Sequence, residues 1–198
     1  MKNQHKLELI FFNDENFLTM KTERLSAFCN NYKTRVNLPF FIATRADSLI
    51  DEERAKMLKE AGCVTIGIGV ESGNEEIRRK LLNKNISNAV YKKAFENCHK
   101  YDIRTTANVI IGLPFETEEN ILESALFCRK LNAKSISLAI FAPYHGTKLR
   151  DICVQEGYIE DKIHDQIATI NASILTMPQL TKEKIEYLYY KFKDLVYG

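Results

Sequence analysis

Val64-Thr65-Ile66-Gly67-Ile68-Gly69-Val70-Glu71-Ser72-Gly73 is an apolar, β-branched run that stops abruptly at small and charged residues, after which a helical pattern begins. Strands of a parallel sheet covered on both faces have this composition, and their carboxyl ends deliver side chains into a ligand cleft. Asn108-Val109-Ile110-Ile111-Gly112-Leu113-Pro114-Phe115-Glu116-Thr117 repeats the pattern. Working outward, apolar runs over 7–12, 39–44, 64–70, 106–111 and 136–141 recur about every thirty residues. Amphipathic segments over 23–32, 51–61, 75–82, 89–101 and 118–131 fill the gaps. Strands alternating with helices predict an α/β fold with parallel pairing and right-handed crossovers. Thr117 is a good N-cap, Glu118 and Glu119 complement the positive end of the helix dipole, and Gly62 stands where a helix should close. After Gly157 the rhythm changes to helix and loop, ending in a helix over 182–196 rich in Tyr and Lys. The expected division is a βα domain over 1–157 and a helical C-terminal extension over 158–198.

The 198 residues suffice for one domain with a substantial core. A formal net charge of +2, with acids and bases mixed along the chain, gives no basic stripe for nucleic acid and no acidic tail. A small molecule is therefore the expected partner. The run 7–12 contains Glu8 and is too short for a signal sequence, and no apolar stretch is long enough to span a bilayer, so a cytoplasmic chain is expected. Cys29, Cys63, Cys98, Cys128 and Cys153 lie far apart, without the short gaps of a metal or cluster site. They read as buried thiols, and no metal ligands are assigned. His99 and His164 are expected on helix surfaces, and His145 alone lies in a strand-end loop.

In a parallel βα array the ligand lies at the carboxyl ends of the strands. Those ends are Asn13-Asp14-Glu15-Asn16-Phe17, Arg45-Ala46-Asp47, Glu71-Ser72-Gly73, Gly112-Leu113-Pro114-Phe115-Glu116 and Pro143-Tyr144-His145-Gly146-Thr147. In order along the chain, Phe12-Asn13-Asp14-Glu15-Asn16-Phe17, Thr44-Arg45-Ala46-Asp47, Ala61-Gly62-Cys63, Gly67-Ile68-Gly69-Val70-Glu71-Ser72-Gly73, Ile111-Gly112-Leu113-Pro114-Phe115-Glu116-Thr117 and Pro143-Tyr144-His145-Gly146-Thr147 resemble the radical S-adenosylmethionine (radical SAM) enzymes, in particular the branch often fused to a cobalamin-binding domain. The resemblance covers roughly residues 7–157. It implies a partial, open (β/α) TIM-like barrel of parallel strands that binds S-adenosylmethionine across its strand ends. In that family a first strand is followed by three closely spaced cysteines holding a 4Fe-4S cluster, whose electron cleaves S-adenosylmethionine to a 5′-deoxyadenosyl radical. This sequence has no such trio and begins at what would be the second strand. It therefore looks like the carboxyl-terminal part of a larger catalytic domain, inactive alone, with the cluster ligands elsewhere and cobalamin, if used, held by a separate domain.

Carried over residue by residue, the resemblance places Asp14 and Glu15 near the amino group of the methionine moiety, where carboxylates accept charge-assisted hydrogen bonds. Glu71 falls where the family reaches the ribose hydroxyls, with Ser72 beside it. Asn108, Ile111, Gly112 and Pro114 fall in the segment supporting the adenine, and Arg45 or Lys84 would pair with the methionine carboxylate. Gly67, Gly69 and Gly73 allow close backbone approach. Glu116 reads as part of the cap of the helix that follows Thr117. Tyr144 and His145 are candidate substrate contacts, with His145 replacing the second proline of a commoner Pro-Tyr-Pro-Gly-Thr pattern. An unpaired sheet edge near 7–12 predicts self-association. Two other readings remain open: a different βα-barrel enzyme of the aldolase or isomerase type, and a non-catalytic barrel remnant used for protein contacts.

Overall fold

Among the described residues, five strands form one sheet: β1 (Ile10–Phe11), β2 (Phe40–Thr44), β3 (Cys63–Glu71), β4 (Arg104–Ile111) and β5 (Ser135–Ile140), neighbours in space in chain order. The structure, a computed structural model, describes residues 6–161 and 172–198; His164 lies outside them. β1 pairs with β2 and β2 with β3 in parallel. Between β4 and β5 the Lys134 N–H meets the Thr105 carbonyl and the Phe141 N–H meets the Ile111 carbonyl, so the partners advance together and this pairing is parallel too. Among the described residues, seven α-helices connect or follow the strands: α1 (Thr22–Arg35), α2 (Glu52–Glu60), α3 (Glu75–Lys80), α4 (Asn88–Lys100), α5 (Glu118–Lys130), α6 (Lys148–Gln155) and α7 (Lys182–Tyr197). Sequential parallel strands with helical crossovers are the α/β arrangement of a partial TIM-like barrel, as expected.

The chain folds as two units. The first comprises Met1–Val70, Ile86–Asn108 and Leu131–Ile136; the second comprises Glu71–Asn85, Val109–Lys130 and Ser137–Gly198. In the first unit, Phe40, Ile42, Ile66, Ile68 and Ala107 from the strands and Leu25, Leu58, Tyr91 and Phe95 from the helices are almost wholly buried. The alternate residues of the same strands, Phe41, Ala43, Thr65, Gly69, Thr106 and Asn108, are half-buried, so one sheet face is core and the other remains partly open. In the second unit, Ile121, Ala125 and Cys128 of α5 and Ile185, Leu188, Phe192 and Val196 of α7 are buried, and Lys184 pairs with Glu118 at 2.7 Å.

Several boundaries differ from the sequence reading. The first strand shrinks from 7–12 to Ile10–Phe11, because the register Ile10↔Phe40 sets Leu9 opposite Pro39, which has no N–H to donate. Leu7 and Leu9 are left exposed. Phe40 pairs with Cys63 but Phe41 pairs with Thr65, so Val64 is an extra, exposed residue in β3. α3 stops at Lys80 and not at Leu82; Asn83 then takes a left-handed conformation, which turns the chain out of the helix. α6 was not foreseen at all, although Thr147 caps it by accepting a hydrogen bond from the Arg150 N–H. Gly62, at φ +104°, closes α2 as its position predicted. No described helix is long and apolar enough to cross a membrane.

Candidate functional site

The end of β3 places Glu71 in the second unit with φ +64°, a left-handed conformation that disfavours a residue with a Cβ by about 1 kcal/mol. Its side chain is 24% exposed, and Oε1 accepts from Lys84 Nζ at 3.0 Å. Lys84 is brought there by the turn after α3, where its N–H bonds back to the Arg78 carbonyl at 2.9 Å. Oε2 of Glu71 has no partner among the described residues. The carboxylate is thus half-neutralised by an ammonium and keeps one oxygen able to accept from a ligand hydroxyl.

Ser72 and Gly73 shape this turn instead of opening it. Ser72 is fully buried; its hydroxyl lies 3.3 Å from Ser124 Oγ and accepts from the Asn74 N–H, while its carbonyl accepts from the buried Arg78 guanidinium. The Gly73 N–H donates to Ser124 Oγ at 2.8 Å. A Cβ at Gly73 would sit 2.6 Å from Ser124 Cα and 2.9 Å from Phe127 Cβ, so only glycine permits the contact with α5.

The loop after β4, also in the second unit, folds on Glu116. Gly112 (φ +77°) and Phe115 (φ +63°) reverse the chain so that Glu116 Oε2 accepts from the Gly112 N–H at 2.6 Å and the Leu113 N–H at 3.1 Å. This corrects the expectation that Glu116 belongs to the helix cap: Thr117 caps α5 with Asn120, each side chain bonding the other's backbone N–H. Glu116 is fully buried and its Oε1 has no partner among the described residues. Burial raises its acid from 4.5 to about 8, with the two N–H donors working in the opposite direction. Ile111, Gly112, Leu113 and Pro114 are buried, and Gly112 rests against Ile185 and Ile140.

Tyr144 and His145 are exposed, in a turn closed by Thr147 Oγ1 donating to the Tyr144 carbonyl at 2.7 Å and by Gly146 at φ +77°. The hydroxyl bond and the left-handed glycine hold this turn with His145 at the position between Tyr144 and Gly146.

In the first unit, Asp14 and Glu15 are exposed on the loop after β1. Their neighbour Asn16, which sequence reasoning left without a role, anchors the loop: its Oδ1 accepts from Thr44 Oγ1 at 2.7 Å and from the Arg45 N–H at 3.4 Å. Arg45 is bound by Asp47 at 2.7 Å through a two-nitrogen fork. Asn108 is half-buried beside Gly67. His99 is half-buried and not on the open helix surface; it lies 3.0 Å from Thr105 Oγ1, with burial and then Lys134 lowering its pKa.

All five cysteines are buried, as expected, and none is close enough to others to form a ligand group among the described residues. Burial pushes the thiols of Cys29 and Cys153 up to about 11 and those of Cys98 and Cys128 to about 12, opposing the thiolate that iron requires. These residues do not fit an iron–sulfur cluster. Glu71, with an accessible carboxylate oxygen beside a left-handed turn, does fit the diol of a nucleoside.

Residues 4–128 match the profile of the Radical SAM superfamily. An uncharacterised methyltransferase of Pyrococcus horikoshii is 24% identical over 185 residues, 93% of this chain and 40% of the relative. Among solved structures, coproporphyrinogen III oxidase of Escherichia coli, a radical SAM enzyme, aligns with a TM-score of 0.68 at 16% identity over 94% of this chain and 40% of its own. A radical S-adenosylmethionine methyltransferase from Kitasatospora setae, solved with cobalamin and a 4Fe-4S cluster, aligns with a TM-score of 0.63 at 17% identity over 78% of this chain and 32% of its own. The chain spans about two fifths or less of the length of the curated relatives it matches. The family match covers more than half of the chain and the fold agrees with it: the protein belongs to the Radical SAM superfamily.

Proposed function

We propose that this chain forms the S-adenosylmethionine-binding wall of a radical SAM enzyme, and that the enzyme is active only as a longer parent protein. The observation that carries the reading is Glu71: a partly exposed carboxylate, held in a left-handed conformation at the end of a glycine-rich strand, with one oxygen on Lys84 and the other open. Backbone strain of this kind collects at ligand sites, where the surrounding structure holds it. Glu71 holds the ribose hydroxyls and Lys84 orients the carboxylate. Gly112, Leu113 and Pro114 support the adenine, with Glu116 fixing their backbone from below. Bound there, S-adenosylmethionine supplies radical initiation once its sulfonium is reductively cleaved. The 4Fe-4S cluster for that electron belongs to a part of the parent protein outside this chain, and cobalamin, present in the Kitasatospora relative, would require a further domain. Tyr144 and His145, both exposed, are the candidate substrate contacts of this reading. The unpaired edge at β1, two residues long, is where a second copy of the chain would pair.

Equilibrium dialysis with S-adenosylmethionine tests the assignment without any cluster. The chain should bind with a dissociation constant of roughly a millimolar, and Glu71→Ala should weaken binding about tenfold, the equivalent of about 1.4 kcal/mol. Unchanged affinity in Glu71→Ala would remove the carboxylate from the site.

A further inference from the structure

A polar cleft at the amino ends of β4 and β5 takes no part in the assignment at Glu71. It offers about 300 Å³ and is lined by His99, Asp102, Ile103, Arg104, Asn132 and Lys134, all of the first unit. Small-molecule sites begin at about this size, roughly 300–1,000 Å³. Two bonds tie its walls: Lys59 Nζ donates to the Asp102 carbonyl at 2.7 Å, and the Lys134 N–H donates to the Thr105 carbonyl at 3.0 Å. The polar side chains between those walls are uncommitted. The Asp102 carboxylate, the Arg104 guanidinium, the Asn132 carboxamide and the Lys134 ammonium make no hydrogen bond or ion pair with any described residue. Lys100, at the same end of α4, is by contrast paired with Glu52 at 2.8 Å.

His99 adds a neutral donor. Thr105 is wholly buried, and its hydroxyl has one partner among the described residues, His99 Nε2 at 3.0 Å. A buried hydroxyl proton needs an acceptor, so Thr105 donates, Nε2 accepts and the ring proton sits on Nδ1. Burial, and then Lys134, favour this uncharged ring. The Nδ1–H has no partner among the described residues and is not sealed inside the protein, so it is available to a ligand in the cleft that His99 lines.

Charge decides the class of ligand. Arg104 and Lys134 outweigh the single Asp102, so a simple cation is repelled, while a simple dianion meets the Asp102 carboxylate. We propose that the cleft binds an acidic α-amino acid, its two carboxylates on Arg104 and Lys134 with the His99 Nδ1–H as a further donor, and its ammonium on Asp102. Such a ligand answers every charge in the cleft with the opposite one, through charge-assisted hydrogen bonds, and leaves none unpaired.

L-Glutamate serves as the probe, with glutarate, which lacks the ammonium, and L-glutamine, which lacks the second carboxylate, as controls at matched ionic strength. In NMR titrations of the chain, glutamate should shift the amides of Asp102, Arg104 and Lys134. It should also raise the titration midpoint of His99, because a carboxylate beside the Nδ1–H favours the imidazolium that Lys134 disfavours. Each control should bind about tenfold more weakly. Asp102→Asn, which suits the left-handed backbone there (φ +51°), should abolish the preference for glutamate over glutarate. Arg104→Gln, at an exposed strand end where folding is not at stake, should weaken glutamate binding about tenfold. The proposal is overturned if the His99 midpoint ignores glutamate, or if glutamate and glutarate bind alike. It is equally overturned if sodium chloride at the same ionic strength reproduces the shifts, which would make them screening alone. The cleft shares no residue with the proposed S-adenosylmethionine wall, so either reading can fail without the other.

Discussion

Gly73→Val should lower the stability of the chain by about 3 kcal/mol, enough to move the thermal midpoint by roughly 10 °C. The reason is contact with backbone, which cannot swing aside. The first added carbon already falls 2.6 Å from Ser124 Cα and 3.0 Å from the Glu123 carbonyl, and relieving it means pulling the turn from α5 and losing the Gly73–Ser124 hydrogen bond. Gly146→Ala is the comparison: nothing lies within 4 Å of its Cβ position, but φ is +77°, so only the backbone term of about 1 kcal/mol applies. Urea unfolding of both variants measures the difference. Equal midpoint losses in the two would mean that the close approach to α5 is not what makes Gly73 necessary.

Glu116→Ala should be comparably severe, about 2–4 kcal/mol, because it strands the Gly112 and Leu113 N–H groups without an acceptor inside the fold. It also makes stability depend on pH in a direction opposite to that of most carboxylates. The folded acid titrates near 8 and its ordinary value is 4.5, so between these values the folded chain holds a proton that the unfolded chain has released. The stability linked to Glu116 is full below about pH 4.5 and is lost as pH rises through about 8. The unfolding free energy should therefore fall across that window, and Glu116→Gln, which keeps an acceptor but cannot ionise, should flatten the dependence. A wild-type profile that rises with pH over the same window and is unaffected by Glu116→Gln would place the charge elsewhere.

The parts of this fold that were legible in the sequence are those decided by local pattern. β2 to β5 announce themselves because a strand covered on one or both faces must be apolar and β-branched, and Gly62 announces a helix end because only glycine tolerates its φ cheaply. What local pattern cannot carry is pairing. The absence of 7–9 from the first strand follows from its register against Pro39, and the Phe11–Phe41 stack follows from the same register. Glu116 sits in Glu116-Thr117-Glu118-Glu119, which reads as the acidic start of a helix; the left-handed Phe115 turns it back onto Gly112. Lys84 was recognisable as a basic candidate, but its partner Glu71 is fixed only by the turn at Asn83. Asn16 gave no signal beyond its place beside two acids, since its work is to hold Thr44 and the Arg45 N–H across the strand ends.

The most direct test of the proposed binding wall is the location of bound S-adenosylmethionine, read from amide shifts as the ligand is titrated into the isotopically labelled chain. The account predicts that the largest shifts fall on Glu71, Lys84 and the Gly112-Leu113 amides, at the carboxyl ends of β3 and β4. Shifts confined to the opposite strand ends, around Cys63, Arg104 and Ser135, would contradict it.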